Sequence, residues 1–331
     1  MKFSCSSFSW ETKDGKHLLG RTYDDYGDLS QNSIIVVNRN HVLNLVCKGE
    51  NIFETKYAFV GMGIKGLNHP IFVDGINEKG LMGALLRYPK FAKYDTQTQN
   101  NFYVNPAFFL SYTLGSCEGI EEVCLKVKNL NLSGEGVFGN EIPVHFIFSD
   151  RTGESIIVEP DKSGITIHRN SIGVLANSPN YEWHEQNLRN YIGLTPSKIS
   201  EQRFCDKDFD DFGFSGLDLP GGYSSVNRFS RVALLKNFAL KGENEIDGIT
   251  KMFHNFSSVD IPAGIVCKEN NETINYQMTL CMSAMCSEST TYYFNLHSNR
   301  RICAVDLKKE LNNTSMKIID LPRDQDILFL N

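Results

Sequence analysis

The chain has 331 residues and a formal net charge of -6. That is ample length for a sizeable core, and it lacks the basic excess that nucleic-acid binding demands. No apolar run approaches the roughly 18 residues that span a bilayer, and the N-terminus lacks a charged segment followed by a long apolar one. The expectation is a cytoplasmic protein with no membrane insertion. The 9 cysteines are odd in number, scattered and without a CxxC pair, which argues against a disulfide framework and a structural zinc site.

In chain order, Phe8 and Trp10 alternate with Ser7 and Ser9, so residues 5–10 read as a strand whose second face is small and polar and includes Cys5. Asp14-Gly15 signals a hairpin turn, and Lys16 to Tyr23 reads as the returning strand. Antiparallel pairing then brings Arg21 and Asp24 back towards Cys5. Ser33 to Val37 and Lys56 to Met62 are further strands, and Ile71 to Asp74, a turn over 75–80, and Leu81 to Leu86 read as strand, turn, strand. From Asn105-Pro106 the period becomes helical, and a second helix covers Glu118 to Val127; both belong on one face of a sheet. Residues 143–176 read as an antiparallel meander and Tyr181 to Tyr191 as a helix. Thr195 to Gly222 is a connection too long for a simple loop, of the kind used for subunit contacts or for lining a site. Arg228 to Leu240 and Asn244 to Phe256 supply a second helical layer, and Tyr276 to Met285, Thr291 to Leu296 and Arg301 to Val305 close the chain with strands. Two sets of strands, each followed by a helix pair, predict an α+β fold in one domain, with two antiparallel sheets sandwiched between helix layers as αββα.

The chemistry-bearing residues gather around Cys5. If Met1 to Ser4 are removed, Cys5 carries both a thiol nucleophile and a free α-amine, whose reference pKa of about 8 suits it to exchange a proton near neutrality. Arg21 is the nearest cation by hairpin geometry and is expected to lower the thiol pKa, while Asp24 is placed to hold and orient the amine. Asn177, ending a strand before Pro179, can aim its amide at an oxyanion, and Arg228 can add a second cation. Each has a plain competitor: a buried structural cysteine, a surface ion pair, a turn asparagine and a solvated helix-start arginine. The histidines show no metal spacing, and His184 reads as structural.

Together these residues resemble the choloylglycine hydrolase family, which contains the bile salt hydrolases and penicillin V acylases. The resemblance runs over nearly the whole chain. It is carried by Cys5-Ser6-Ser7 with Arg21 and Asp24, Asp74 to Gly83, Gly153 to Pro160, Asn177-Ser178-Pro179, Asn187 to Tyr191, and Arg228-Phe229 with Arg231. It implies an N-terminal-nucleophile (Ntn) hydrolase fold over residues 5–331 behind a short propeptide, Met1 to Ser4. The implied activity is cysteine amidohydrolysis of a linear amide C-N bond in a small-molecule substrate, with no metal or organic cofactor, by a homotetramer. By the same resemblance Cys5 is the nucleophile, Arg21 and Asp24 its partners at the amine, Asn177 an oxyanion donor and Arg228 a supporting cation. Propeptide removal is expected to be autocatalytic, through attack of the thiol on the Ser4 carbonyl.

Two departures stand out. Arg87 occupies a position where the family usually has Asn or Tyr, and it is read as a substrate contact favouring a carboxylate or sulfonate; Ala176 replaces a frequent Thr. Met62 and Phe91 lie on stretches resembling pocket-lining loops and are also read as substrate contacts, with core packing as the competing role. The short propeptide leans towards penicillin V acylase, and Arg87 keeps bile salts open. N-acyl homoserine lactone acylase, a non-catalytic acyl-amide binder and a redox protein using Cys281 and Cys286 are the alternatives.

Overall fold

The structure is a computed structural model that describes residues 4–331 except 48, 66–68, 96–101, 135, 137–140, 198–201, 210–218, 271–272 and 313–314. Met1 to Phe3 of the expected propeptide and much of the 195–222 connection therefore lie outside the described residues.

The hairpin predicted at the start is present. Strand β1 (Ser4–Glu11) pairs antiparallel with β2 (His17–Asp25), in a register that sets Ser4 opposite Asp24, Cys5 opposite Tyr23 and Ser7 opposite Arg21. Gly15, at φ +76°, supplies the left-handed turn conformation that glycine adopts without a Cβ clash. On the other side of β2 lies Thr273–Cys286, followed outward by Thr291–Leu296 and Cys303–Asp306, while Val174–Leu175 flanks β1. A larger sheet runs in the order Gly164–His168, Ser155–Asp161, Val144–Ser149, Met82–Arg87, Asp74–Asn77, Phe59–Ile64, Asn32–Val37, Lys317–Ile319. The pairings along both orders are antiparallel.

Helices cover the outer faces. The helix α1 (Phe109–Ser116) packs on Met82–Arg87 and Asp74–Asn77 of the larger sheet, and α2 (Ile120–Val127) follows with Ile120, Val123, Cys124 and Val127 buried along one stripe. After the short α3 (Tyr181–Asn187), α4 (Ser225–Phe238) packs on β1, and α5 (Glu245–Phe256) on β2 and Thr273–Cys286. Gly20 admits α5: a Cβ there would lie 2.6 Å from Met252 Sδ and 2.7 Å from the Phe256 ring. One contiguous apolar core takes in Phe8, Leu19, Phe59, Phe72, Phe146 and Phe148; within it Phe8 packs on Phe256 of α5, and Phe146 and Phe148 pack on Phe109 of α1. The αββα expectation holds.

Several boundaries differ. The turn read over 75–80 narrows to the residues around Gly80, because Asp74–Asn77 stays in the sheet by pairing with both Phe59–Ile64 and Met82–Arg87. The α4 helix starts at Ser225 rather than Arg228, since the Ser224 hydroxyl caps it by accepting from the Asn227 N–H. Short pairs such as Val42–Asn44 with Ile52–Glu54 escaped the sequence reading, being too brief for periodicity to register. Within 195–222, Gln202–Phe204 and Lys207–Phe209 form a hairpin. Among the described residues no helix is long and apolar enough to cross a membrane.

Candidate active site

The β1–β2 register decides which groups meet Cys5. Side chains alternate across a strand, so Arg21, in register with Ser7, lies on the same face as Cys5, whereas Asp24 lies on the opposite face. One Arg21 Nη donates to Cys5 Sγ, the other donates to the Val73 carbonyl at 2.9 Å, and Nε donates to the Thr22 carbonyl at 3.1 Å. Arg21 is fully buried, and its counter-ion is Asp74 of the larger sheet, 3.9 Å from Nε. Asp74 is itself held by the Ser283 and Tyr292 hydroxyls, both at 2.7 Å, and by the Met62 N–H at 3.2 Å. Sequence alone assigns Asp74 no role, because its ion pair with Arg21 crosses between sheets.

The nitrogen of Cys5 is a peptide N–H here, standing where an α-amine would be once Ser4 is gone. It donates to Asn177 Oδ1 at 3.0 Å. The same oxygen accepts from Arg228 Nη2 at 2.7 Å, while Arg228 Nη1 donates to the Cys5 carbonyl and the Ser6 hydroxyl, both at 2.6 Å. Asn177 Nδ2 gives one hydrogen to the Arg87 carbonyl at 2.9 Å, and an amide nitrogen carries a second. Asp24 accepts from the Thr279 hydroxyl at 2.7 Å and the Thr22 hydroxyl at 3.3 Å, and lies 3.8 Å from Arg228 Nη1. Thus Asn177 rather than the Asp24 carboxylate holds the Cys5 nitrogen, and Asp24 enters the site as the counter-ion of Arg228. Far from being a solvated helix-start residue, Arg228 is 1% exposed.

The electrostatics differ from the sequence expectation in one respect. Burial pushes the Cys5 thiol up to about 12, and the field of Arg21 does not reverse it. With Ser4 attached, the site holds a protonated, enclosed thiol rather than one lowered towards neutrality. Burial likewise raises the Asp24 carboxyl to about 6 despite Arg228, Thr279 and Thr22, and lowers Arg228 from its ordinary value. For Arg21 burial works against the charge, but the charges of Cys5, when it ionises, and of Asp74 outweigh it and the guanidinium is held above its usual range.

Of the three residues read as substrate contacts, Met62 is fully buried in the core, which favours the packing role. Phe91 is 40% exposed and stacks on Tyr88 at 5.5 Å. Arg87 is half-buried, burial lowers its pKa, and it lies in the fields of Asp25, Cys5 and Tyr26. A cavity of about 520 Å³ opens beside Ser4, lined by Asn177, Ser178, Tyr223, Ser225, Arg228 and Gln277. Chemically, the arrangement offers a thiol, a nitrogen that can become its base, an amide donor and two buried cations balanced by two carboxylates.

The family description "Linear amide C-N hydrolases, choloylglycine hydrolase family" matches residues 5–320. A bile salt hydrolase/transferase of Clostridium perfringens is 35% identical over 312 residues, 92% of this chain and 93% of that protein. One from Lactiplantibacillus plantarum is 29% identical over 96% of both chains. A crystal structure of a variant conjugated bile acid hydrolase from Clostridium perfringens superposes with a TM-score of 0.90 at 32% identity, over 99% of this chain and 100% of that one. Penicillin V acylase from Agrobacterium tumefaciens shares the fold at a TM-score of 0.76 and 19% identity, over 96% of this chain and 91% of that one.

Proposed function

Because the chain belongs to the choloylglycine hydrolase family of linear amide C-N hydrolases, we propose that it is a conjugated bile salt amidase whose nucleophile is Cys5, exposed by removal of Met1 to Ser4. The observation that carries the site assignment is the pair of contacts at Cys5: Sγ on Arg21 and N on Asn177 Oδ1. They hold thiol and future amine at one point with separate partners. The greater likeness to bile salt hydrolases than to penicillin V acylase supports the choice of substrate.

Maturation begins with attack of Cys5 Sγ on the Ser4 carbonyl carbon. The Ser4–Cys5 C–N bond breaks as the acyl group moves to sulfur, the nitrogen gains a proton, and water hydrolyses the thioester to release Met1 to Ser4 as a carboxylate. In turnover the thiol attacks the substrate carbonyl while the α-amine takes its proton. The second Asn177 Nδ2 hydrogen and a backbone N–H near Arg87 hold the oxyanion, and the amine protonates the departing nitrogen. Water activated by the same amine then cleaves the thioester. Arg228 bridges the Cys5 carbonyl, Ser6 and Asn177, so it acts on the alignment of nucleophile and donor. Arg87, half-buried and within the field of Cys5, attracts the carboxylate or sulfonate of the conjugate.

The reading extends to self-association as a homotetramer, supported by the largely exposed apolar run Ile327, Leu328, Phe329, Leu330. Release of glycine or taurine from glycocholate and taurocholate, compared with hydrolysis of phenoxymethylpenicillin and paired with intact-mass measurement, tests the substrate and maturation together. Turnover of phenoxymethylpenicillin alone, or full activity in protein that retains Met1, refutes the proposal.

A further inference from the structure

Behind Asn177 lies a buried polar cluster that the reaction described above does not use. His145 is fully buried on the Val144–Ser149 strand, with Nδ1 2.9 Å from Glu159 Oε1 and Nε2 2.9 Å from the Ala176 carbonyl. Both neighbours are acceptors, so each ring nitrogen faces an oxygen that can take its hydrogen, a carboxylate on one side and a carbonyl on the other. Glu159, 1% exposed, also accepts from the Tyr181 N–H with both oxygens at 3.1 Å and faces His168 Nε2 at 3.2 Å. Burial alone would raise the Glu159 carboxyl, but the His145 and His168 bonds outweigh it and bring it down to about 2. Tyr88 stacks on the His145 ring at 4.4 Å and 10°.

A second histidine completes the arrangement. His184, also fully buried, faces the Asn177 carbonyl through Nε2 at 2.8 Å and stacks on Phe229 at 4.4 Å. Two successive carbonyls are therefore each held by an imidazole. The Ala176 carbonyl belongs to the peptide plane before Asn177 and the Asn177 carbonyl to the plane after it. Peptide groups are planar, so fixing both fixes the backbone torsions of Asn177 and with them the direction of its side chain. The Asn177 N–H, in the first of these planes, is also held, by the Ser225 hydroxyl at 2.9 Å.

Resting on the reading of Asn177 as oxyanion donor, we infer that Glu159 and His145 are positioning residues that hold the Asn177 amide in line with Cys5. A buried polar pair of this kind contributes little net stability compared with apolar packing of the same volume. What it contributes here is direction: one imidazole locked between a carboxylate and a carbonyl cannot rotate. Neither residue reaches the reacting atoms, and both act through Asn177.

The test is a double-mutant cycle in the processed full-length enzyme, with glycocholate and phenoxymethylpenicillin as parallel probes. Glu159→Gln keeps the side-chain volume and removes the charge; His145→Gln is the second entry point should the first fail to fold. Loss of donor alignment is expected to lower kcat by about 10- to 100-fold, with KM within about threefold of the parent. In an Asn177→Ala background the same substitution is expected to have no further effect on kcat, because its route is already gone. Additive losses, or a KM rise equal to the kcat fall, overturn the inference and leave a purely structural cluster. If Asn177→Ala itself retains full kcat, the oxyanion assignment falls. If Asn177→Ala is inactive while Glu159→Gln and His145→Gln turn over at the parent rate, only the positioning role falls.

Discussion

A Cys5 that still carries Met1 to Ser4 should be almost unreactive. Burial raises its thiol from 9.0 to about 12, a displacement of three units or about 4 kcal/mol against the thiolate. At pH 8 a thiol of pKa 9 is about one-tenth thiolate, and one of pKa 12 about one part in ten thousand, so alkylation should slow by about 1,000-fold before any steric shielding is counted. Cys5 is also 0% exposed, which adds to the protection. The assay is timed iodoacetamide labelling at pH 8, with intact-mass spectrometry separating precursor from processed chains and peptide mapping reading the label on Cys5. A Ser4→Val variant, whose branched side chain crowds the carbonyl under attack, enriches the precursor. Removing Lys2 to Ser4 genetically, so that Cys5 follows the initiator methionine, supplies the processed form once that methionine is cleaved. Processed chains should label quickly and precursor chains at a rate about 1,000-fold below that of a free model thiol. Precursor labelling within tenfold of the model thiol refutes the claim that burial outweighs the field of Arg21.

Arg228→Lys replaces a guanidinium serving four acceptors by a single ammonium, and losing one or two charged hydrogen bonds of about 2 kcal/mol each should lower kcat about 30-fold or more while the fold persists; initial rates on glycocholate check this. Asp24 has a folded pKa of about 6 against an ordinary 3.8. A carboxyl raised on folding contributes stability below its unfolded pKa and loses it as pH rises through the folded one. Wild-type stability should therefore fall by up to about 3 kcal/mol between pH 4 and 7 through this group, and urea denaturation of Asp24→Asn should lack that component. Asp74→Ala strands Arg21 and the Ser283 and Tyr292 hydroxyls, and should cost about 3–5 kcal/mol, with Asp74→Asn costing less because an amide oxygen still accepts; thermal melting of the two variants orders them. Gly61→Ala places a Cβ 2.0 Å from the Asp74 carbonyl oxygen, on backbone that must move, and should destabilise by about 3 kcal/mol or more in the same measurement.

The site balances its own charges, which explains why it can be built inside a protein. Arg21 faces Asp74 and Arg228 faces Asp24, so with the thiol protonated the buried groups sum to zero. On the proposed maturation, freeing the α-amine would add a titratable cation beside the thiol and open the Ser4 side to solvent. Both changes would favour the thiolate, and neither is available while Ser4 stays attached.

By itself the sequence determined the two-sheet, two-helix-layer architecture, because strand alternation, the Asp14-Gly15 turn and helical periodicity are local signals with lengths that only a layered packing satisfies. It also singled out Cys5, Arg21, Asp24, Asn177 and Arg228, since the family-like order of these residues survives without coordinates. What each one touches was decided by tertiary structure alone. Arg21 and Asp24 are three residues apart, and the period of two in a strand sends them to opposite faces, so the expected shared contact at the amine became Arg21 on the thiol and Asp24 on Arg228. The sign of the Cys5 shift was also beyond the sequence, because desolvation depends on everything packed around the thiol. Asp74 and His145 reach the site across sheets, through bonds to Ser283 and the Ala176 carbonyl that span 209 and 31 positions in the chain, while Glu159 joins through the neighbouring strand and His184 through the helix that follows Asn177; only the fold brings these groups together.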